Sequence, residues 1–587
     1  MKLGAVAIDY DGTIATDGVF APAVRDAIGQ LRLRGIAVIL VTGRRLDDLR
    51  RVAGNLACFN AVVAENGAVL YFPDSGRHAL IGHPPNPGFL AELRLRGIDF
   101  VVGESVIEAD ASTAPAFLQS IRALEEPLIL AFNRSRLMVL PQAIAKSVGL
   151  RRALLTLRLS IHNTLGIGDA ENDHDLLDAC EVGVAVEWGS RALRAFADEV
   201  IYGSGPAAVA TYLHGLMGQV RLSAAQMGRR RLLLGHQHDG EPVNLAIRGR
   251  TVLVAGEPGS GKSWLAGLLC EQLILQGYCL CVIDPEGDYR SLEALPSVIM
   301  LGGDDPPPRT RELTQALRHP DVSLVIDLSK ASHQEKQDYL HELLPMLASL
   351  RRRTGLPHKI VLDEAHYYLG EPDGSRFIDA ELAGYILVTY RVSGIDAKVR
   401  TAPDTVVMVT RETDPQEQDT LRSMCVTADK TISKKIFQDL SLSEAALLPG
   451  SEESHGRVLR FELAPRLTSH VRHREKYLDM PVAEPHAFVF TSDGNIGPRA
   501  RSLKDLVVLL ATLPESQLDA HLQRHDFSRW LDQVFRDATL ATHVRTLEGR
   551  VGTDRTRDVV NDIAQAIRAR YEMSRSVGQP VAPISTP

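Results

Sequence analysis

Asp9-Tyr10-Asp11-Gly12-Thr13 closes a short apolar run, Val6–Asp9. Carboxylates at i and i+2 project to one side of an extended backbone. At the C-terminal edge of a parallel sheet that side faces the crevice where ligands bind. One carboxylate there can attack phosphorus and form an aspartyl-phosphate. The other can protonate the leaving oxygen and then activate water. Gly12 lets the chain turn sharply behind the pair. Alone, the segment could also be a polar turn, since Asp and Gly favour turns, but that is the less favoured reading. Three later segments supply complementary chemistry. Thr42-Gly43-Arg44 follows the apolar run Ala37–Val41, and its hydroxyl and open backbone amides suit a phosphoryl oxygen. Lys146 opens a helical pattern with a compact charge that can neutralise aspartate and phosphate oxygens. Gly168-Asp169-Ala170-Glu171-Asn172-Asp173 follows Thr164–Ile167 and brings more acids to the same edge. Such crowding calls for a cation, and Mg2+ accepts a few carboxylates, water and phosphate oxygen.

A second set of residues lies further along. Gly256-Glu257-Pro258-Gly259-Ser260-Gly261-Lys262-Ser263 matches G-x-x-x-x-G-K-[ST], between the strand-like run Thr251–Ala255 and the helical pattern Trp264–Leu275. In that setting backbone amides and a helix N-terminus cradle phosphate. Lys262 reaches the terminal phosphates of ATP and Ser263 binds Mg2+. Ile360-Val361-Leu362-Asp363-Glu364-Ala365-His366 adds an acid pair at a strand end. Asp363 is expected to hold Mg2+ through water, and Glu364 to orient and polarise the attacking water. Asp327 also ends an apolar run, but a second acid follows only Asp363. Tyr385–Val388 leads into Thr389-Tyr390-Arg391, which places Thr389 to touch the nucleotide.

Both sets need parallel sheets to present them. Val6–Asp9, Ala37–Val41, Ala61–Ala64, Thr164–Ile167 and Gly183–Val186 read as buried strands, with helical spacing between them, as in Ala21–Arg34. That alternation predicts an α/β fold with a mainly parallel sheet. GHPPNP at Gly82–Pro87 interrupts it, and a smaller α/β unit is inserted at about 83–140. A second α/β series starts near Leu232, through Thr251–Ala255, Cys279–Ile283, Ser323–Asp327, Lys359–Leu362, Tyr385–Val388 and Thr405–Val409. Beyond about Pro481 the tail reads as mainly helical, with Ser caps expected for Ser502–Leu513 and Ser528–Phe535. SRSVGQPVAPISTP at the end reads as disordered. The expected domains are 1–217, 218–480 and 481–587.

The 587 residues are 45% hydrophobic and 24% charged, enough for roughly three to five ordinary globular domains. A net charge of -8 gives no global basic field to recruit nucleic acid. Cys58, Cys180, Cys270, Cys279, Cys281 and Cys425 form no CxxC pair and read as free thiols, Cys279 and Cys281 on one strand face. The start reaches Asp9 too soon for a signal peptide, and no apolar run approaches the roughly 20 residues that span a bilayer. A cytoplasmic protein without membrane contact is expected.

The DYDGT, TGR, Lys146 and GDAEND segments, in this order, resemble the haloacid dehalogenase (HAD) superfamily, specifically its Cof-type phosphatases, over residues 1–217. The resemblance implies a Rossmann-like domain with an inserted C2 cap that closes over the site. It implies Asp9 as nucleophile, Asp11 as general acid/base, and phosphate binding by Thr42, Gly43, Lys146 and Asn172. Asp9, the Asp11 carbonyl and Asp169 would hold Mg2+, with Asp173 in support. Glu187-Trp188-Gly189-Ser190 departs from the family pattern at a point outside the catalytic motifs. Leu233-Leu234-Gly235, the phosphate loop, Ile283-Asp284-Pro285-Glu286-Gly287-Asp288-Tyr289 and the late Asp363-Glu364-Ala365-His366 resemble the HerA/FtsK group of ring ATPases over about 230–480. That likeness implies a homo-oligomeric, hexameric ring. It departs at Tyr390, where the group has Gln, and lacks the group's N-terminal β-barrel.

Arg391, Arg411 and Arg466 are candidates to reach a neighbouring subunit's nucleotide, although an ordinary surface or salt-bridged arginine is the plainer reading of each. Arg229–Arg231 and Arg351–Arg353 could touch nucleic acid, but solvated faces are the plainer reading. His470 with His473, and His521 with His525, have helical metal spacing without a third ligand. Phe527, Trp530 and Phe535 suit one apolar helix face. The expected whole is a Mg2+-dependent phosphomonoesterase for a small phosphorylated substrate, fused to an ATP-hydrolysing motor. Polynucleotide kinase–phosphatase-like end repair, and a phosphatase fold serving only as sensor or docking module for a DNA translocase, are the alternatives.

Overall fold

The computed structural model describes residues 1–133, 135–219, 221–222, 229–246, 248–370, 372–402, 404–425, 435–450, 456–468, 482, 487–492, 495–535, 538–552 and 554–570. The chain separates into two compact units, Met1–His470 and Val471–Pro587.

The first unit holds two large sheets. The N-terminal strands are β1 (Ala5–Asp9), β2 (Ala15–Thr16), β3 (Val19–Phe20), β4 (Ala37–Val41), β5 (Ala61–Ala64), β6 (Val69–Phe72) and β7 (Arg77–Leu80). After an insertion come β12 (Thr164–Gly168), β13 (Val182–Val186) and β14 (Glu199–Ile201). They form one sheet in the order β14-β13-β12-β1-β4-β5-β6-β7, parallel as far as β5. The apolar runs AVAID and AVVA are buried throughout because helices cover both faces, which is what makes parallel strands read as continuous rather than alternating. β2 and β3 form a small hairpin just past Asp11.

The insertion is a separate antiparallel sheet of β8 (Val101–Val102), β9 (Ile107–Asp110), β10 (Leu128–Asn133) and β11 (Arg136–Pro141), in the order β10-β11-β9-β8. Helices Pro87–Leu95 and Ala114–Ala123 cover it, and Phe89, Leu93, Phe117 and Val139 fill its own core. Three backbone amides, of Glu104, Ser105 and Val106, donate to the Glu65 carboxylate at 3.0, 2.9 and 3.2 Å and tie this cap to the sheet below.

The central sheet contains β15 (Arg231–His236), β16 (Pro242–Ala246), β17 (Thr251–Ala255), β18 (Leu280–Asp284), β19 (Val298–Gly302), β20 (Ser323–Asp327), β21 (Lys359–Leu362), β22 (Tyr385–Thr389), β23 (Thr405–Val409), β24 (Glu444–Leu447) and β25 (Leu459–Leu463). Its order is β16-β15-β25-β24-β23-β17-β22-β21-β18-β20-β19. The stretch from β23 to β19 is parallel. The four strands beyond β23 are an antiparallel extension. Cys279 and Cys281 are both buried and free.

The two sheets of this unit share a continuous apolar cluster, and the polar groups at their seam are paired. His162 Nδ1 lies 2.9 Å from Glu181 Oε2, and its Nε2 lies 3.0 Å from the Gln276 carbonyl. The Tyr278 ring stacks on His162 with centroids 3.8 Å apart, while its hydroxyl donates to Glu181. Of the arginine runs, Arg229, Arg230 and Arg351 are engaged within this unit, while Arg352 and Arg353 are exposed, as a solvated face would be. Arg229 and Arg230 donate to backbone carbonyls of Leu177, Asp178, Ala179 and Cys180. Arg351 is 2% exposed and donates to the Pro357, His358 and Ala383 carbonyls.

The second unit is mainly helical: Leu503–Thr512, Glu515–Gln523, Asp526–Gln533, Ala538–Glu548 and Thr556–Arg570. They pack behind a hairpin, β26 (Phe488–Ser492) with β27 (Asn495–Ala500), which the sequence reading did not anticipate. Ser502 caps its helix by accepting from the Asp505 amide at 3.0 Å. Ser528 does not cap one. It lies inside Asp526–Gln533, where the Glu548 carboxylate accepts the Phe527 and Ser528 amides at 3.1 Å each and so supplies the helix start. Phe527 and Trp530 are core residues, with Phe535 packed against Trp530. His521 uses both ring nitrogens within the unit, on Asp526 and the Thr491 amide, and His525 faces Glu548. His470, His473 and the terminal SRSVGQPVAPISTP lie outside the described residues. No described helix is long and apolar enough to cross a membrane.

Candidate functional sites

The acids of the N-terminal sheet converge. Asp9 ends β1, and Asp169 and Asp173 follow β12, the strand beside it. Each offers a carboxylate oxygen, all within 4.8 Å of one another, and all three side chains are buried. Lys146, first residue of helix Lys146–Thr156, places Nζ 2.5 Å from Asp9 Oδ1 and 2.6 Å from Asp173 Oδ1. Burial disfavours its ammonium, but Asp173 and Asp9 more than offset this and raise its pKa. Burial, reinforced by Asp173 and Asp169 against the pull of Lys146, pushes the Asp9 carboxyl well above its usual range. Three acids facing one lysine is an excess of negative charge that a divalent cation would balance. The residues present therefore fit a metal, with Asp9, Asp169 and Asp173 as its carboxylates.

The backbone around them is shaped for close approach. Gly12 has φ +80°, and a Cβ there would stand 2.3 Å from Asp169 Oδ2. Asp173 Oδ2 accepts the Asp169 and Ala170 amides at 3.0 Å each, so Asp173 shapes the loop as well as facing the lysine. Thr42 is 1% exposed at the end of β4, and Gly43 lies under the cap, where an added Cβ would be 3.2 Å from Met138 Sδ. Asn172 Nδ2 and Thr13 Oγ1 are buried with no hydrogen-bond partner among the described residues, which suits them to a phosphoryl oxygen.

Asp11 stands apart from the carboxylate cluster. Its side chain is 41% exposed, and both its oxygens are taken by Arg44, at 2.6 Å to Nε and 2.7 Å to Nη2. Arg44 is thus a site residue whose role spacing alone did not assign. The Glu187–Ser190 segment, expected to lie outside the site, braces it. Trp188 Nε1 donates to the Gly12 carbonyl at 2.7 Å, and the Ser190 amide donates to the Asp169 carbonyl at 2.7 Å. Its sequence carried no signal for this because both contacts run to backbone.

The phosphate loop of the central sheet joins β17 to helix Lys262–Leu275. Gly256, Gly259 and Gly261 adopt φ of +148°, +77° and +103°, which the tight cradle requires. Ser260 Oγ is 2.6 Å from Thr410 Oγ1, and the Glu257 carboxylate takes Arg411 Nε at 2.6 Å and Thr413 Oγ1 at 2.5 Å. The loop after β23 thus clamps the cradle from the same chain, with Pro258 at its turn. Lys262 Nζ donates to the Glu257 carbonyl at 2.9 Å. Ser263 Oγ donates to Asp288 Oδ2 at 2.9 Å, so Asp288 shares the ground expected for Mg2+ with Asp363. Asp284 holds Asp288 in place, since its carboxylate accepts the Glu286, Gly287, Asp288 and Tyr289 amides. Burial, then the Asp288 charge, raises the Asp284 pKa to about 8.

Asp363 is fully buried and Glu364 3% exposed, just past β21, two strands from the cradle strand. Asp327 lies two strands further away at the end of β20 and is held by Arg290 at 2.6 Å. Thr389 ends β22 in register with Ala255, and its hydroxyl is 3.0 Å from His366 Nδ1. The Tyr390 hydroxyl is 3.3 Å from that of Tyr367. Arg466 is occupied within the chain, 2.7 Å from Glu271 with both side chains buried. Arg411 is occupied by Glu257, while Arg391 is exposed.

Residues 6–81 and 99–213 match the family model described as haloacid dehalogenase-like hydrolase. Residues 237–369 match the model described as helicase HerA, central domain. The phosphoglycolate phosphatase of Methanosarcina acetivorans is 26% identical over 223 residues, which are 35% of this chain and 94% of that protein. That of Methanothermobacter thermautotrophicus is 27% identical over 224 residues, 36% of this chain and 99% of that protein. A solved haloacid dehalogenase-like hydrolase from Bacteroides thetaiotaomicron covers 37% of this chain and 100% of its own, with 16% identity and a TM-score of 0.33. The chain therefore carries a HAD-like hydrolase domain with a buried acid cluster, followed by a HerA/FtsK-type P-loop ATPase domain and a mostly helical C-terminal region. It is an enzyme of the hydrolase class.

Proposed function

We propose that the chain is a bifunctional phosphohydrolase: a Mg2+-dependent phosphomonoesterase acting through an aspartyl-phosphate, joined to an ATP-hydrolysing motor domain. The observation that carries the reading is the Asp9–Asp169–Asp173 cluster with Lys146 at 2.5 Å from the nucleophile. Asp9 attacks phosphorus, and the P–O bond to the leaving group breaks as the Asp9 O–P bond forms. Asp11, once turned from its pair with Arg44 and protonated, gives that proton to the leaving oxygen, then takes one from the water that hydrolyses the acyl-phosphate. Lys146, Thr42, the Gly43 amide and Asn172 receive phosphoryl oxygens. Mg2+, when bound to Asp9, the Asp11 carbonyl and Asp169, supplies charge that offsets the crowded oxygens. Cap residue Met138 lies so near Gly43 that an added Cβ there would stand 3.2 Å from its Sδ, a close approach that favours a small substrate. Similarity to phosphoglycolate phosphatases makes a small phosphorylated carboxylic acid the first candidate.

In the ATPase domain the cradle 256–263 binds ATP, Ser263 and Asp363 serve its Mg2+, and Glu364 orients water. The HerA likeness supports a homo-oligomer, most simply a hexameric ring. With Arg411 and Arg466 engaged in their own chain, Arg391 is the arginine offered to a neighbour. Six free cysteines suit a cytoplasmic setting. The test is phosphate release from phosphoglycolate, sugar phosphates, nucleotides and DNA 3′ and 5′ phosphate ends, with and without Mg2+. Mg2+-dependent turnover of a small substrate, lost in Asp9→Asn, is expected. Turnover of DNA ends alone would replace this reading with end repair, and metal-independent turnover surviving Asp9→Asn would remove it.

A further inference from the structure

We infer that Arg229 and Arg230, on the chain entering the ATPase sheet, are positioning residues for the metal loop of the phosphatase, so that the ATPase domain completes the phosphatase site. The inference rests on the proposed reading that Asp9, the Asp11 carbonyl and Asp169 hold Mg2+, with Asp173 in support.

Helix His174–Ala179 starts directly after Asp173. Like any α-helix it leaves its last carbonyls without intrahelical donors, and it ends in an extended Cys180 without a glycine cap. The missing donors come from the two arginines. Arg229 Nη1 donates to the Leu177 carbonyl at 2.6 Å. Arg230 Nη2 donates to the carbonyls of Asp178, Ala179 and Cys180 at 2.6, 2.7 and 3.1 Å. Cations at a helix C-terminus are also favoured by the helix dipole, and here one guanidinium nitrogen, Arg230 Nη2, faces three successive carbonyls. Arg229 pairs in addition with Asp198 and stands 5.1 Å from the Phe196 ring. Phe196 in turn packs 5.2 Å from His174, at the opposite end of the same helix. Both ends are therefore fixed from one place.

The consequence lies one residue upstream. Asp173 faces Lys146 with one oxygen and gathers the Asp169 and Ala170 amides with the other. A helix free to fray would let Asp173 drift and open the loop that carries Asp169. The clamp also belongs to the nucleotide-binding domain. Arg231 begins β15, whose Leu233 exchanges two 2.7 Å hydrogen bonds with Gln272, and the Arg231 carbonyl accepts Gln276 Nε2 at 3.1 Å. Gln272 lies on the helix that starts at Lys262, and Gln276 caps it.

The experiment uses the full-length chain and compares wild type with Arg230→Ala, Arg230→Lys and Arg221→Ala. Arg221 links the same two domains, through its backbone bridge to Lys2 on one side and its side-chain bonds to Asp404 and the Glu381 carbonyl on the other, without touching the helix. Two quantities are read: the Mg2+ concentration for half-maximal p-nitrophenyl phosphate hydrolysis, and hydrogen exchange of amides 169–173 in metal-free protein. Arg230→Ala is expected to raise the half-saturating Mg2+ about tenfold, the lower end for lost outer supports of a metal site, with turnover at saturating Mg2+ within about twofold. Exchange at Asp169 and Ala170 should accelerate. Arg230→Lys should fall between, and stands in if Arg230→Ala does not fold; Arg221→Ala should match wild type. A folded Arg230→Ala, or Arg230→Lys in its place, with unchanged Mg2+ requirement and unchanged exchange overturns the inference, even if its melting temperature falls. A wild type that needs no metal would overturn the Mg2+ reading instead, and exchange alone would then decide the clamp.

Discussion

Replacing Lys146 with Met removes the cation from the acid cluster while keeping most of its volume. In the wild type its side chain is 1% exposed, with Asp9 and Asp173 at 6% and 0%. Water cannot substitute for the lost charge. Breaking a buried pair by removing one partner costs about 3–5 kcal/mol. If the whole first unit melts together, ~470 residues at ~2.1 cal/mol/K each convert ~4 kcal/mol into a fall of about 4 °C. If the N-terminal domain melts alone, ~217 residues convert the same cost into about 9 °C. The pH dependence has a definite sign. Without Lys146 the Asp9 carboxyl, already raised by burial and by Asp173, is pushed further above its unfolded value, so the folded state keeps a proton there that the unfolded chain has released. Stability is then lost as pH rises, and the variant should approach wild type near pH 5 and fall furthest behind near pH 8. Mg2+ should recover part of the deficit. The assay is thermal melting at both pH values, with and without Mg2+. A variant as stable as wild type at pH 8 in EDTA would refute Lys146 as the counter-ion of the cluster.

Gly12→Ala puts a Cβ 2.3 Å from Asp169 Oδ2 at a φ of +80°, so phosphatase activity should fall at least about a hundredfold through the displaced metal loop, while ATP hydrolysis is kept. Equal phosphatase activity in the variant would count against the close packing of the two loops. Lys359 is buried at the start of β21, and burial, then the Arg351 charge, lowers its pKa to about 7. The unfolded chain binds its proton up to the ordinary lysine range, so this residue makes stability rise with pH between about 7 and 10. Lys359→Met should therefore be more stable than wild type near pH 7 by on the order of a few kcal/mol, and the gain should shrink toward pH 10 in urea melts. A gain independent of pH would show that the amine titrates normally.

The parallel strands were legible because burial on both faces writes an uninterrupted apolar run. Ala37–Val41, Ala61–Ala64, Thr251–Ala255 and Ser323–Asp327 occur with the bounds read from sequence. The antiparallel extension was harder, since β15, β16 and β25 are half-exposed and lack that run, and β24, though buried, is only four residues long and opens on Glu444. Asp9, Asp169, Asp173 and Lys146 could be paired in advance because each sits at a strand or helix end, where topology decides the neighbours. Arg44, Trp188, Arg229 and Arg230 could not. Arg44 bonds a carboxylate 33 residues away, and the other three bond backbone carbonyls, which no residue type announces. The arginine runs read as solvated because charge runs usually are. Here Arg229 and Arg230 cap a short helix and Arg351 is buried, while Arg352 and Arg353 are exposed as expected. Ser528 misled for a similar reason: a side chain from Glu548 supplies the helix start that a local serine would otherwise provide.

Two hydrolytic sites on two sheets of one compact unit is the central claim, and cross-inactivation tests it most directly. Phosphate release from p-nitrophenyl phosphate and from ATP is measured on the same preparations of wild type, Asp9→Asn and Lys262→Ala. Asp9→Asn should lose the first activity by several orders of magnitude and keep the second, because an amide is too poor a nucleophile to form the acyl-phosphate. Lys262→Ala should do the reverse. A folded variant that loses both activities, or an Asp9→Asn protein that retains p-nitrophenyl phosphate hydrolysis, would contradict the account.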